Sequence, residues 1–230
     1  MKNKQVFQFL KTAILLLVVL VSTEAFSQMN VTDKEGRKQG YWEKKRPGGK
    51  VHYKGQFKDD VPYGKFKYYD KEGTISSILE YITSDTVMAT HYHSNGKKAA
   101  YGYYVNQQKE GIWRFYDKKG IIASEEAYSK GKKDGKYIVY NLNGSISRET
   151  FFVKGVENGY RKTYDSEGNL LSEGEIKDGQ MDGVQIIYSN GKVSVKGAYK
   201  HAVKDGDWVY FDDNGKQIKV EHYELGIKKD

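Results

Sequence analysis

A glycine returns every 23 or 24 residues along almost the whole chain, at Gly49, Gly73, Gly96, Gly120, Gly144, Gly168, Gly191 and Gly215. A second series, Gly40, Gly64, Gly111, Gly135, Gly159, Gly183 and Gly206, keeps the same step, with Val87 in its one missing slot. Eight units at a constant period leave little sequence for anything else. Such regularity points to a repeat architecture, in which stacked neighbours share one extended core and a long surface does the binding.

The unit that opens at Gly111 shows the grammar in full. Gly111-Ile112-Trp113-Arg114-Phe115-Tyr116 leads into the turn Asp117-Lys118-Lys119-Gly120, and Ile122 to Tyr128 follows before a second turn, Gly131-Lys132-Lys133-Asp134. Aromatic and β-branched runs bounded by Asp, Asn and Gly are strand-and-turn chemistry, and Asp-x-x-Gly suits a type I turn closed by a glycine with positive φ. Each unit therefore reads as a β-hairpin. Comparing units gives three columns. Tyr69, Tyr92, Tyr116, Tyr140, Tyr164, Tyr188 and Phe211 lie five residues after the first glycine. Phe57, Tyr81, Tyr104, Tyr128, Phe152, Ile176, Tyr199 and Tyr223 lie eight after the second, and Val51, Ile75, Ile122, Ile146, Leu170 and Val193 two after it. The last two columns are six residues apart, an even number, so alternation puts them on one face. An isolated hairpin buries too little to offset the ordering of its backbone, so stability must come from stacking. Sixteen strands at about 4.8 Å would span roughly 75 Å.

The ends and the composition narrow the setting. Lys2, Lys4 and Lys11 precede an apolar run from Thr12 to Val21, and Ala25 and Ser27 fit cleavage before Gln28, so residues 1–27 read as a secretory signal peptide. Its removal takes away three lysines and Glu24, lowering the formal charge from +8 to +6. The run is too short to span a bilayer. The chain has no Cys, so no disulfide, thiolate metal site or cysteine-linked lipid anchor is expected. Lysine dominates the cations and sits largely in turns such as Lys118-Lys119, where it keeps a long sheet soluble and its edges unpaired. Arginine, the usual reader of bases, is scarce, and no nucleic-acid partner is expected.

Segments such as Gly111-x-Trp113-x-x-Tyr116-x-x-x-Gly120, followed by Glu-x-x-Tyr and Gly-x-x-Asp-Gly, resemble the bacterial variant of MORN repeats over roughly residues 36–230. The resemblance implies an all-β array of antiparallel hairpins with a non-enzymatic interaction role. Some bacterial members are labelled antitoxins, a role at odds with an export signal. Gly64 to Tyr69 and Gly206 to Phe211 also look like the choline- or glucan-binding hairpins of cell-wall proteins, although that family's period is shorter.

Candidate sites follow from the columns. Trp42, Phe66, Trp113, Tyr137 and Trp208 share the slot two after the first glycine, which also accepts Arg161 and Gln185. A slot open to both Arg and Trp reads as partly solvated, so these five form the expected interaction stripe. His91 and His93 share a strand face near Asp85, a chelating spacing, but they read as surface histidines of a degenerate third unit in which Ala89 takes the Trp slot. Glu125, Glu149 and Glu173 recur once per unit, which marks architecture rather than a carboxylate pair for catalysis. Aspartate-rich turns such as Asp212-Asp213-Asn214-Gly215 lack a calcium loop's ligand spacing. The expected fold is all-β: about eight antiparallel hairpin repeats of about 24 residues in a single twisted, curved sheet over residues 28–230. The expected role is an exported, non-enzymatic protein-interaction scaffold without metal or cofactor. The alternatives are a binding module for cell-wall glycan or lipid headgroups, and an immunity protein of antitoxin type.

Overall fold

A computed structural model describes residues 29–230. The leader-type segment 1–27 lies outside the described residues. Among these, the chain is all strand and turn, with no helix. The strands are β1 (Val31–Thr32), β2 (Lys38–Lys45), β3 (Val51–Lys58), β4 (Val61–Tyr69), β5 (Ile75–Tyr81), β6 (Thr86–Tyr92), β7 (Lys98–Val105), β8 (Gln108–Tyr116), β9 (Ile122–Ser129) and β10 (Lys132–Tyr140). They continue as β11 (Ile146–Val153), β12 (Val156–Glu157), β13 (Gly159–Tyr164), β14 (Leu170–Lys177), β15 (Gln180–Ser189), β16 (Lys192–Lys200), β17 (Val203–Phe211), β18 (Gln217–Glu224) and β19 (Ile227–Lys229). Each pairs antiparallel with its chain neighbours, from β1–β2 to β18–β19, in one open sheet. β12 and β13 are one strand interrupted at Asn158, since both pair with β11. Set beside the short flanks β1 and β19, this leaves the sixteen full strands expected of eight hairpins.

The turns behave as their residues require. Asp117 C=O accepts from Gly120 N–H at 3.0 Å, and its carboxylate Oδ1 accepts from the amides of Lys119 and Ile121 at 2.8 and 2.9 Å. Gly120 closes that turn at φ +87°. Most successive units join through tighter two-residue turns with both residues at positive φ, as at Lys130 and Gly131 (+50° and +77°), the mirror-image geometry that matches strand twist, whereas the second and third units join through the four residues 82–85.

Two irregularities recur in every regular unit and decide which side chains share a face. The first glycine of a unit marks a bulge between hairpins. Tyr101 pairs with Arg114 and Tyr103 with Glu110, so the single residue Gly102 on β7 opposes Gly111, Ile112 and Trp113 on β8. Gly55 opposes Gly64, Lys65 and Phe66 in the same way, and Gly197 opposes Gly206, Asp207 and Trp208. Gly111 takes φ +68° there, a conformation that side chains resist. Where Val87 replaces the glycine, β5 and β6 pair without a break from Ser77↔His91 to Tyr81↔Val87.

The second irregularity sits inside each hairpin. Phe115 pairs with Ser124 but Tyr116 with Ile122, leaving Ala123 as an extra residue on β9. That extra residue reverses the alternation. The aliphatic column of Ile75, Ile122, Ile146, Leu170 and Val193 therefore shares a face with its partners Tyr69, Tyr116, Tyr140, Tyr164 and Tyr188. The Phe57-to-Tyr223 column lies on the other face. The expectation that the two columns lie together is corrected: counting by two assumes an unbroken pleat, and every hairpin breaks it once.

Candidate functional site

The face carrying the column from Phe57 to Tyr223, called here the aromatic face, holds the core. Phe66, Trp113 and Trp208 are 2 %, 1 % and 2 % exposed, and Trp42 and Tyr137 are half-buried. The expected exposed stripe of Trp42, Phe66, Trp113, Tyr137 and Trp208 is thus corrected at Phe66, Trp113 and Trp208, which are buried core, while Trp42 and Tyr137 keep part of their surface in solvent. The cause is the bulge. In three units it tips the ring across the strand before it, onto a glycine, whereas Tyr137 stands across from Glu126. A Cβ on Gly55, Gly102 or Gly197 would overlap the ring of Phe66, Trp113 or Trp208. The bulge also leaves a backbone carbonyl without a ladder partner, and the indole supplies one. Trp113 Nε1 donates to Tyr103 O at 3.0 Å and Trp208 Nε1 to Ala198 O at 3.1 Å.

The slot accepts Arg and Gln because its neighbours change with it, not because it is wet. In the unit of Gly159, Glu157 stands two residues before the glycine and binds Arg161 through both carboxylate oxygens, at 2.7 Å each. In the unit of Gly183, the amide of Gln185 packs over Gly174, which leaves no room for a Cβ. In the third unit the sizes invert. Leu79 pairs with Ala89, a large residue where Gly stands elsewhere facing a small one where Trp stands.

A further column, which the sequence reading assigned to solubility, lies two residues before the first glycine: Lys38, Lys109, Lys133 and Lys204. Each ammonium sits over the ring of its own unit and over the next aromatic on the same face. Lys109 Nζ is 4.7 Å from the centroids of Trp113 and Phe115 and 4.8 Å from that of Tyr128. Lys204 lies 4.1 Å from Trp208 and 4.7 Å from Tyr223, and Lys133 lies 4.2 Å from Tyr137. Ring faces carry negative potential, so each such seat is worth about 0.5–2 kcal/mol. Burial pulls the Lys109 ammonium below the usual lysine range, while Glu126 partly restores it. Glu126 is itself buried, accepting from Ser124 Oγ and Tyr128 OH at 3.1 and 2.6 Å with Lys133 at 3.2 Å. The signal was present in the sequence as four lysines at one register, visible only once the columns are extended past the glycine.

The opposite face is charged and partly apolar. Glu125 pairs with Arg114 at 2.9 Å, Glu149 with Lys136 at 2.8 Å and Glu173 with Lys162 at 3.1 Å. Each recurring glutamate is thus a cross-strand ion pair. Beside this ladder runs an exposed row formed by Tyr63, Tyr103, Ile112, Phe151, Tyr160 and Val184. A shallow cleft of about 500 Å³ opens there between Tyr160, Lys162, Glu173, Val184 and Ile186. The histidines of the third unit are not at the surface together. His91 Nδ1 meets Ser77 Oγ at 2.8 Å and its ring stacks on Trp113, whereas His93 Nε2 meets Tyr116 O at 2.9 Å. No group of three metal-ligating side chains gathers among the described residues.

Residues 109–130 and 157–178 match the MORN repeat variant. Both matched stretches open two residues before a unit's first glycine and close in the turn that joins the next unit, so the family repeat and the structural hairpin share one frame. No curated protein matches the sequence. Among solved structures, the chain is similar to one described as the crystal structure of TarM, at 14 % identity and a TM-score of 0.32, over 41 % of this chain and 19 % of that one. So small an overlap carries no functional argument. Two hairpins of the array, those at 109–130 and 157–178, are thus similar to the MORN repeat variant, and the hairpins around them repeat the same strand-and-turn frame.

Proposed function

We propose that the chain is an exported, non-enzymatic scaffold that recognises a partner protein through the face opposite its sealed aromatic row. The observation that carries this reading is the exposed row from Tyr63 to Val184, which crosses successive hairpins beside a ladder of ion pairs. An apolar line rimmed by fixed charges is the composition of a protein interface, with its anchors central and its polar groups outside. Export rests on the leader-type residues 1–27, and mature protein beginning at Gln28 in a cell fraction outside the cytoplasm is the expected finding.

The test replaces Tyr103, Phe151 and Tyr160 together by Ser, all exposed and therefore tolerable to the fold. Capture of an envelope protein by the native chain should fall at least tenfold in the variant, with the β-sheet circular dichroism unchanged. Undiminished capture sinks the assignment of this face. A second reading, a glycan or lipid-headgroup site, draws on the cleft at Tyr160, where an aromatic ring lies beside Lys162 and Glu173. Saturable binding of purified envelope glycan, lost in Tyr160→Ala, would move the assignment there.

A further inference from the structure

The third unit differs from its neighbours in a way that leaves a seat vacant. In the fourth unit Lys109 fills the space over Trp113, Phe115 and Tyr128. By count the matching position in the third unit is Asp85, in the turn before β6, and the matching ring is replaced by Ala89; by register Val87 stands across from Tyr81 where Lys109 stands across from Tyr104. Ala89 is sealed in the core, and beside it, toward Asp85, a cleft of about 640 Å³ opens, lined among others by Pro62, Leu79, Tyr81, Asp85, Val87 and Tyr104. Because no bulge interrupts this pairing, Tyr81 and Tyr104 both lie in register with Val87, one on each side. Their strands are two spacings apart, roughly 9.6 Å. Val87 stands between the two columns, so a cation in the cleft would lie above its side chain with a tyrosine on either side.

The charge is inverted as well. The Asp85 carboxylate accepts from the hydroxyls of Thr83 and Thr86 and is exposed at the mouth of the cleft. The floor of Leu79, Val87 and Pro62 is apolar and suits an alkyl stem.

We infer that this cleft receives the side chain of a lysine from a partner protein, its stem on Leu79 and Val87 and its ammonium between Tyr81, Tyr104 and Asp85. The inference rests on the scaffold reading above for the source of the lysine. The chemistry of the seat is independent of it, being what four units of the same chain build for their own lysines.

The experiment titrates the full chain with a blocked Ala-Lys-Ala peptide and, separately, with its Nε-acetyllysine counterpart, following backbone amide shifts by NMR. Saturable shifts at Val87, Ala89 and Asn106, with the acetylated peptide at least tenfold weaker, are expected. Asp85→Asn should weaken the peptide at least fivefold. Asp85→Lys should abolish its binding without lowering the melting temperature, because the new ammonium takes the seat itself. No shift at these positions, equal binding of the acetylated peptide, or full binding by Asp85→Lys would each overturn the proposal. Tighter binding of 1,4-diaminobutane than of the peptide would give the cleft to free polyamines, and a dimer dissolved by Asp85→Lys would give it to a second copy. Either result overturns the assignment to a partner protein. If peptide binding fails while the Tyr103/Phe151/Tyr160 variant still loses its envelope partner, the cleft falls and the scaffold reading stands.

Discussion

The third and fourth hairpins do the same job with opposite parts. In the fourth, glycine breaks the ladder, the bulge tips Trp113 over Gly102, an indole N–H takes the freed carbonyl, and Lys109 closes the top. In the third, Val87 keeps the ladder intact, Leu79 fills from below what no ring fills from above, and nothing closes the top. The difference teaches that the repeat conserves volume across neighbouring strands rather than any residue within a unit. Phe66, Trp113 and Trp208 are each matched by a glycine across the strand boundary, and Leu79 by Ala89 in the reverse order. Sequence degeneracy in the third unit is therefore not structural decay. It is the alternative solution, and only that solution leaves room for a visitor.

The comparison breaks most readily at Trp113. Truncating it to Ala removes the largest side chain of the core together with an indole hydrogen bond, and should cost about 3–5 kcal/mol by urea unfolding. Ala89→Val in the third unit is the counter-experiment. Ala89 is fully buried against Leu79, Ala100 and Trp113, so the added methyl groups meet a filled core and should cost about 1–3 kcal/mol; a neutral change contradicts the volume argument. Gly102→Ala is smaller than the Trp113 change, since a methyl group must push the ring aside: about 1–3 kcal/mol, read from the same unfolding midpoint. The glycine swap sharpens the bulge argument further. Gly111→Ala meets nothing with its Cβ but must hold φ +68°, a strain of about 1–2 kcal/mol. Val87→Gly, in an unbroken ladder, should also destabilise, by about 1 kcal/mol. Stabilisation by Val87→Gly would show that the third unit wants the bulge it lacks.

The smallest effect concerns pH. Burial, with Lys109 adding repulsion, holds the His91 imidazole below its ordinary range, so the folded chain favours the neutral ring. A depressed folded value means that the unfolded chain binds the proton first as pH falls. The contribution of His91 to stability is therefore present above about pH 6.5 and is lost as the medium is acidified below it. His91→Phe, matching Phe115 one unit on, should shrink the fall in melting temperature between pH 7 and pH 5. An unchanged fall would place the acid sensitivity elsewhere.

Much of this was legible before any coordinates. The period, the hairpins, the Asp117-to-Gly120 type of turn and the count of full strands follow from backbone chemistry that glycine and aspartate state openly. What stayed hidden is set by pairing between units. The extra residue at Ala123 is not marked by its own identity, so alternation read the aliphatic column onto the wrong face. The Trp113 slot looked solvated because Arg161 shares it, and the partner that makes Arg161 tolerable, Glu157, lies outside the columns first compared. Gly102 was never in either glycine series. It becomes informative only when set beside the ring of the following strand, as Leu79 does beside Ala89.

The lysines seated on the rings alter what this molecule offers at contact. Their charge is turned toward π-clouds of the same chain, which leaves the net charge unaltered but takes these ammonium groups out of reach of a contact ion pair with an approaching anion. Amine-directed reagents should likewise spare Lys38, Lys109, Lys133 and Lys204 while labelling the turns. The amines that an incoming anion or reagent touches first are then those of the loops.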